Sequence, residues 1–426
     1  MADRHHIRIT CAVLFSLFVF LIFPQTGKSQ IAETENYEFR LVPDLWYNSL
    51  DGVQVGAQFG FRQFGRIDEG PHFFDAGILI GTSDLEPTFN YRANYRHTLL
   101  SRAGFERSGI NLNSAYRDGF QQHGAGLRWQ NKDEAEQNIW SFQSEYYAHE
   151  MYDSEYQLYP HLWSEGWTDI IRITAVYQQW ADWHRSSAVK IDLRVSPGGL
   201  DTSPFARFDF SAQDRVDLFA GLAANIHAYA GWVNEDAPPE YNLGLAGASL
   251  IDFQDSRLTR ARGTLPPSWF REGFFHKAGG ANLRGFMDME AESRKADLND
   301  INRPADVIPD PTGPTTDAIS SLNLELEFPN PVNSWIQSIP VAGEFIKFSS
   351  YFFNDTGILS RRGFSSVLLV DAGVGFEVST NIPDYLGRER GFQIRFDLPF
   401  WFYDSNTEQS FTELKPILGF GSIYYF

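Results

Sequence analysis

His184 and Ser186 are the residues of this chain whose types and spacing come nearest to nucleophilic catalysis. In a strand, a spacing of two would put both side chains on one face, as in a hydrolase whose histidine and serine face lipid. The spacing is non-specific, and the sequence shows no third residue placed to orient the histidine, as a catalytic triad requires. We therefore expect that the protein is not an enzyme and has no cofactor.

A second candidate chemistry is calcium binding by aspartates in the stretch before residue 318. Calcium loops place their acidic ligands at alternate positions and close with a glycine turn. The aspartates here lack that tight spacing, so we expect a solvated extracellular loop and no metal. They are Asp297, Asp300, Asp306, Asp310 and Asp317.

The third candidate is a cation, Arg284, which stands beside glycine in the segment GGANLRGF at 279–286. This segment lies inside the longest region without a strand pattern, about 234–318. A guanidinium that leaves water needs carboxylate partners and hydrogen bonds. The pattern therefore predicts an ion pair that fixes the loop, which is a structural role and not a catalytic one.

Carboxylates that could pair with Arg284 lie on the flanking strands. Alternation through 347–355 puts Asp355 on the polar face, and Glu327 has the same orientation just before Phe328. Asp371 is also inward by alternation and is a candidate third partner, or else an ordinary charge of the lumen. We expect Arg284 to lie between Asp355 and Glu327.

The elements that must hold these residues are strands, because apolar and polar residues alternate strictly at 89–96, 322–328 and 392–398. One face is apolar and aromatic, and the other carries charges of both signs. Aromatic residues make up 15% of the chain, which is more than a soluble core would readily hide and which suits an outward lipid face with aromatic girdles. The predicted fold is all-β: a transmembrane antiparallel β-barrel of about 16 strands, with the long loop folded into the lumen.

Turn residues between the alternating segments divide the chain into sixteen expected strands. They are 38–48, 51–66, 71–83, 86–98, 109–117, 119–131, 136–150, 168–182, 184–196, 203–215, 217–233, 319–329, 345–358, 365–379, 389–403 and 413–426.

The N-terminus predicts export. Arg4 and Arg8 precede an apolar run at 11–24, and small or polar residues follow, which is the pattern of a secretory signal peptide cleaved before Gln30. We divide the chain into a signal peptide at 1–29, a short periplasmic segment at 30–37 and a barrel at 38–426.

Removing the signal peptide changes both the thiol content and the charge. The only cysteine, Cys11, lies inside it, so the mature chain would have no disulfide and no thiolate metal site. The segment carries Arg4, Arg8 and Lys28 against Asp3, a net +2, so the total of −19 becomes −21. Such an acidic chain is a poor binder of nucleic acid.

Three motifs together resemble the Omp85 superfamily of sixteen-stranded outer-membrane barrels, the BamA/TamA-like surface antigen D15 type. The loop motif is Leu283-Arg284-Gly285-Phe286, which falls between the eleventh and twelfth expected strands as in that family. The strand motif is Phe353, Asp355 and Gly357, on the thirteenth strand. Glu327 resembles a second carboxylate on the preceding strand.

The third motif is the chain end. Tyr424 and the terminal Phe426, with Gly421 before them, resemble the signal by which outer-membrane barrels are recognised for assembly. Gly419 stands where the family pattern has a polar residue, so this match is partial. Most members of the family also carry periplasmic POTRA repeats, for which this chain has no room, so it resembles a barrel-only form.

The resemblance implies a function in the outer membrane of a Gram-negative bacterium. The protein would assist insertion or translocation of proteins or lipids at a lateral seam between the first and last strands. Pro43 on the first strand lacks a backbone donor, and Gly419 and Gly421 weaken the last strand. Outer-membrane lipid would surround it, and a periplasmic or lipoprotein partner would replace the POTRA repeats. The alternative is a passive channel or solute transporter.

Overall fold

The structure is a computed structural model of the 426-residue chain. It describes residues 30–34, 37–48, 52–63, 72–83, 86–99, 107–117, 119–132, 138–151, 164–182, 185–245, 251, 274–276, 280–286, 317–339, 346–360, 366–381, 391–407 and 409–422. Within these ranges, no helix is both long and apolar enough to cross a membrane.

The described chain is all-β, and its strands are long and consecutive. The first half contains β1 (Gln30–Thr34), β2 (Tyr37–Asn48), β3 (Gly52–Gln63), β4 (His72–Ser83), β5 (Glu86–Leu99), β6 (Arg107–Arg117), β7 (Phe120–Lys132), β8 (Asn138–Met151), β9 (Gly166–Asp182) and β10 (Arg185–Ser196).

The second half contains the long loop and the remaining strands. These are β11 (Phe205–Asp217), β12 (Ala223–Val233), β13 (Phe274–His276), β14 (Ala318–Phe328), β15 (Ile346–Ser360), β16 (Val367–Asn381), β17 (Gly391–Asp404), β18 (Gln409–Thr412) and β19 (Ile417–Ser422). A short helix, α1 (Pro331–Gln337), follows β14 and is capped by Asn330, whose side chain accepts from the Asn333 amide.

Antiparallel pairing between neighbours joins the long strands into one up-and-down sheet. Each of the sixteen expected spans overlaps a described strand, so the predicted all-β, antiparallel architecture is confirmed. Two boundaries were wrong. The eleventh expected strand begins at Ala223 instead of 217, because Ala220 and Gly221 adopt positive φ in a tight turn. The last expected strand, 413–426, begins at Ile417 as β19, and the short strand β18 (Gln409–Thr412) precedes the expected span.

The two faces of the sheet differ as alternation requires. On β4, for example, Ile78 and Ile80 are exposed while Asp75 and Leu79 are buried. The buried face contacts the long loop, and we call it the inner face.

The inner face curls around the loop. Tyr241 of the loop packs in one cluster with Phe120 of β7 and Phe205 of β11. Phe286 of the same loop packs in a second cluster with Phe402 of β17. Loop residues thus contact strands from β7 to β17, which places the described parts of the loop on the concave side of the sheet, as the sequence predicts.

The two edges of the sheet are not joined by any described pairing. The edge of β2 instead pairs with β1, from Tyr37 to Leu41, and the edge of β19 pairs in parallel with β13, from Leu418 to Phe420. The segment at 30–37, expected only to precede the first strand, therefore contributes a strand of its own. The expected direct pairing of the first and last strands is absent among the described residues.

Candidate functional site

The loop reaches the inner face in a compact, buried turn. Residues 281–286 are all buried, and Asn282 has φ +51°, a left-handed conformation that asparagine tolerates better than most residues. A 3-10 turn then spans Arg284–Phe286, with the Phe286 amide donating to the Leu283 carbonyl at 3.0 Å. The Leu283 amide donates to the Leu245 carbonyl at 2.8 Å, which ties two parts of the loop together.

Arg284 is the centre of the site. Its Nε and one Nη donate to the two carboxylate oxygens of Asp355 at 2.7 and 2.9 Å, which is the bidentate geometry that a guanidinium forms best. The same Nη donates to Glu325 at 3.0 Å, and the other Nη lies 3.2 Å from Asp397. Arg284 is only 2% exposed, so these carboxylates replace water almost completely.

A second buried cation, Arg395 of β17, shares these partners. It pairs with Glu325 and lies 3.5 Å from Asp397. The Tyr351 hydroxyl donates to Asp397 at 2.6 Å and accepts from Arg395 at 2.6 Å. Glu325 and Asp397 thus bridge the loop cation and the wall cation, and both charges are compensated where water is absent.

The strand motif on β15 fits the loop motif side chain by side chain. The guanidinium carbon of Arg284 lies 4.1 Å from the centre of the Phe353 ring, within cation–π distance. A Cβ on Gly357 would come within 2.6 Å of Leu283, so only glycine leaves space for that leucine. Phe353 and Asp355 therefore contact the Arg284 guanidinium, one with its ring and the other with its carboxylate. The absent side chain of Gly357 leaves space for Leu283.

Gly285 and Phe286 complete the contact. A Cβ on Gly285 would come within 2.6 Å of Phe402 and 2.8 Å of Asp371, so the backbone of Gly285 approaches the wall closely. The Gly285 amide donates to Asp371 at 3.2 Å, and Phe286 meets the Phe402 ring edge-on at 6.0 Å. Asp371, considered as a third partner for the guanidinium, thus contacts the loop through this backbone amide.

Glu327 is not a partner of Arg284, which corrects the expectation. It pairs with Arg215 of β11 and lies 3.5 Å from Lys347. The reason is register: Asn323 is level with Asp355 across β14 and β15, so Glu325 is one inward step away and Glu327 is two. Glu325 therefore takes the position that Glu327 was expected to hold.

Sequence reasoning missed Glu325, Arg395 and Asp397. All three belong to segments whose alternation was recognised, and the charges at 325, 395 and 397 fall on the polar face of those segments. These three charged residues all occupy inward positions on strands near the one that carries the motif. That pattern could have indicated them as further members of the ion-pair site. Their convergence on one point depends on the curl of the sheet, which the pattern does not show.

A second attachment holds an earlier part of the loop. Glu240, which is 1% exposed, accepts from the hydroxyl and the amide of Ser164 at 2.6 and 3.0 Å. Tyr241 packs 4.8 Å from the Phe205 ring, and its carbonyl accepts from Arg207 of β11 at 2.9 Å. The loop is thus fixed to the inner face at two separate places.

Electrostatics at the two attachments differ. Burial by itself lowers the pKa of Arg284, but attraction to Asp355 and Asp397 outweighs it, so the pKa lies well above its ordinary value. Burial raises the pKa of the Glu240 carboxyl, and the hydrogen bonds from Ser164 offset only part of that rise. The cation of the first attachment, Arg284, therefore stays charged, while the second attachment contains a carboxyl that burial biases towards its neutral form.

The remaining expected positions lie at the edges or outside the described residues. Pro43 is level with Ala57 of β3, and Gly419 is level with Arg395 and, on its other side, with Phe275. Gly421 is level with Gln393.

Several residues for which the sequence predicts a role lie outside the part of the chain that the structure describes. Tyr424, Phe426, His184 and the signal peptide at 1–29 lie outside the described residues. So do Asp297, Asp300, Asp306 and Asp310. Within the described ranges, no group of three or more His, Cys, Asp or Glu side chains lies close enough together to hold one metal ion.

No protein-family model matches the chain, and no curated protein is similar to it in sequence. Among solved structures, the chain is similar to the crystal structure of BamA from Haemophilus ducreyi lacking POTRA domains 1–3. The sequence identity is 13% and the TM-score is 0.44, over 92% of this chain and 71% of that one. At this identity and TM-score, the similarity assigns no function to the chain.

Proposed function

We propose that this protein is an outer-membrane barrel of the Omp85 type, which assists insertion or translocation of proteins or lipids at a lateral seam between β2 and β19. The observation that carries the proposal is the attachment of Arg284 to Asp355, with Phe353 and Gly357 shaped to receive the loop. A pore formed only for passive diffusion needs no buried cation that holds a long loop against three strands.

The outer face of the sheet supports a lipid environment. Large apolar side chains are exposed on strand after strand, which would be a very large apolar patch on a soluble protein. In an outer membrane the same face would lie against hydrocarbon. Examples are Leu41 at 48%, Ile78 at 58%, Ile80 at 59%, Phe89 at 49%, Trp140 at 58% and Phe352 at 54% exposure.

The seam is supported by the state of the β2 edge of the sheet. Among the described residues, the strand pairing of β2 on the side away from β3 ends at Leu41. Pro43 lies in this stretch, where its missing amide hydrogen leaves one fewer donor to satisfy. Unpaired backbone groups in hydrocarbon cost several kcal/mol each, so an incompletely paired edge is the place where a barrel opens most easily.

Loop occupancy argues against the alternative of a passive channel. Tyr241, Leu283 and Arg284 are buried against the inner face, and they reach it on strands from β7 to β17. Open diffusion would need this space. Under the proposal, a separate periplasmic or lipoprotein partner delivers the client to the seam.

The test is to tie the seam shut. Val42→Cys and Gly419→Cys, joined by a cleavable bis-maleimide, would link β2 to β19, and the predicted mature chain has no other thiol. Ala57→Cys and Ile78→Cys are the matched control, because these residues are already paired across β3 and β4.

Purified protein in proteoliposomes would be given a urea-denatured eight-stranded outer-membrane barrel, with protease-resistant product as the readout. We expect the seam link to stop assembly, cleavage of the linker to restore it, and the control link to have no effect. Equal assembly with the seam linked, together with steady conductance in planar bilayers, would favour the passive channel.

A further inference from the structure

Two histidines and a tyrosine meet on the outer face, far along the sheet from the loop attachment. His72 is the first residue of β4, and it is directly opposite His97 near the end of β5. Tyr95 is two residues before His97 and points to the same side. Exposed Ile78 and Phe89 lie on this face by the same alternation, so the three side chains point away from the loop.

A polar atom of His97 and one of Tyr95 both lie close to the same nitrogen of His72. Nδ1 of His72 lies 3.2 Å from Nδ1 of His97 and 2.7 Å from the Tyr95 hydroxyl. The two imidazole rings are 4.7 Å apart between centroids, and the His72 ring is stacked on Tyr95 at 6.0 Å. All three residues are half-buried and lie at the shared end of β4 and β5, beyond the apolar middle of the outer face, where ions can reach them.

Hydrogen bonding cannot satisfy both contacts of His72 at once. A neutral imidazole nitrogen carries either one hydrogen or one lone pair. If His72 Nδ1 carries a hydrogen, it can donate a well-aligned hydrogen bond to only one of the two neighbours. If it carries a lone pair, it can accept a well-aligned hydrogen bond from only one of them. A cation placed among the three atoms would instead be bound by all of them.

The spacing also fits a metal. Zinc binds imidazole nitrogen at about 2.0–2.1 Å, so two nitrogens in a tetrahedral site lie about 3.3 Å apart. The separation of 3.2 Å between the two Nδ1 atoms is therefore close to that of two ligands on one ion. Imidazole suits zinc, copper and nickel, and water would complete the coordination.

We propose that His72, His97 and Tyr95 form a binding site for a divalent late transition metal, with the two Nδ1 atoms and the phenol oxygen as ligands. An ion here would cross-link β4 to β5 at their shared end. Next to the proposed metal site, the outer face carries a pair of aromatic rings, Phe74 and Phe59, whose centroids are 6.2 Å apart. The site is independent of the seam and of the loop attachment.

The experiment uses the full mature protein in detergent, without a histidine tag and stripped with a chelator. Zinc binding is measured by calorimetry in the wild type and in His72→Gln, His97→Gln and Tyr95→Phe. His123→Gln is the matched control, because His123 is a strand histidine bonded to Ser114 at 2.9 Å and remote in sequence from the site. Heat-modifiable migration on gels verifies that each variant is folded.

We expect the wild type and His123→Gln to bind one zinc ion per chain. Binding should be at least about tenfold weaker in His72→Gln and in His97→Gln, and Tyr95→Phe should lose less affinity. Zinc should raise the melting temperature of the wild type and of His123→Gln but not of the other histidine variants. With Cu²⁺ as the probe, electron paramagnetic resonance should show two coupled nitrogens.

Two results would overturn the site. One is wild-type protein that takes up no zinc at concentrations on the order of 100 μM. The other is a doubly substituted His72→Gln/His97→Gln protein that binds zinc as tightly as the wild type.

Discussion

The Leu283 side chain occupies the space that a side chain at Gly357 would need, with 2.6 Å between Leu283 Cδ1 and an added Cβ. The loop therefore packs against β15 in two ways: Leu283 fills the space left by the absent Cβ of Gly357, and Arg284 forms an ion pair with Asp355. Leu283 is fully buried, so its side chain cannot move into solvent to make room for a larger residue at position 357. The contact makes the loop position sensitive to a single methyl group.

Gly357→Ala should lower stability by about 1–3 kcal/mol, the usual cost of overpacking a filled site. The loop should also become easier to cleave, because Leu283 must leave its cluster. Melting temperature and limited proteolysis measure the two effects. Gly77→Ala is the control, since a Cβ there would meet Gln58 at an ordinary 3.4 Å. Equal behaviour of the two variants would contradict the fit.

Arg284→Ala should be more damaging, because Asp355, Glu325 and Asp397 would lose a cation that they share in a dry site. Breaking a buried pair costs about 3–5 kcal/mol. We expect a lower melting temperature and a released loop, seen as faster amide hydrogen exchange at 281–286.

Arg284→Lys is the informative companion of that variant. Lysine keeps the charge but cannot form the bidentate pair with Asp355, so it should recover only part of the stability. Full recovery by lysine would show that charge alone holds the loop.

The correction from Glu327 to Glu325 can be measured as a coupling energy. A double-mutant cycle between Arg284→Gln and Glu325→Gln should give an interaction of roughly 0.5–3 kcal/mol, as expected for residues in contact. The same cycle with Glu327→Gln should give nearly zero, because Glu327 pairs with Arg215 instead. Urea unfolding of the protein in lipid vesicles supplies the energies. A larger coupling to Glu327 would restore the original expectation.

Alternation was sufficient to predict the sheet, because period-2 patterning gives strand face and approximate length together. It placed Asp355 on the inner face, and the structure shows Asp355 there in a bidentate pair with Arg284. It could not choose between Glu325 and Glu327, since both face inward and only the register against β15 separates them.

Other features depend on three-dimensional relations that a local pattern does not contain. Arg395 and Asp397 lie 111 and 113 positions from Arg284 in the numbering and meet it only because the sheet curls. The pairing of Phe274–His276 with the edge of β19 is likewise invisible, because three residues are too few to show alternation. The positive φ of Ala220, in the turn before β12, falls on a residue type that rarely adopts it, so the sequence signals only the neighbouring Gly221.

Export predicts a defined mature terminus. The protein recovered from the membrane fraction of a Gram-negative host should begin at Gln30, because small residues precede that position and an apolar run precedes them. N-terminal sequencing and intact mass measure this directly. Retention of residues 1–29 in the membrane-associated protein would mean that the apolar run has another role.

The second loop attachment should respond to pH through Glu240. Its folded pKa is raised above the ordinary value of 4.5, so the folded state binds this proton more tightly than the unfolded state does. The stability that the proton contributes is fully present below pH 4.5 and is lost as pH rises through the raised folded value. The attachment at 239–245 should therefore loosen as pH rises through that window, seen as faster amide exchange after correction for its intrinsic pH dependence.

Glu240→Gln should remove this dependence, because the amide stays neutral and still accepts from Ser164. Its exchange at 239–245 should be slow across the whole range, like that of the wild type at low pH. Glu235→Gln, on an exposed neighbour in the same loop, should keep the wild-type profile. If Glu240→Gln and the wild type show the same pH profile, the buried carboxyl does not control this end of the loop.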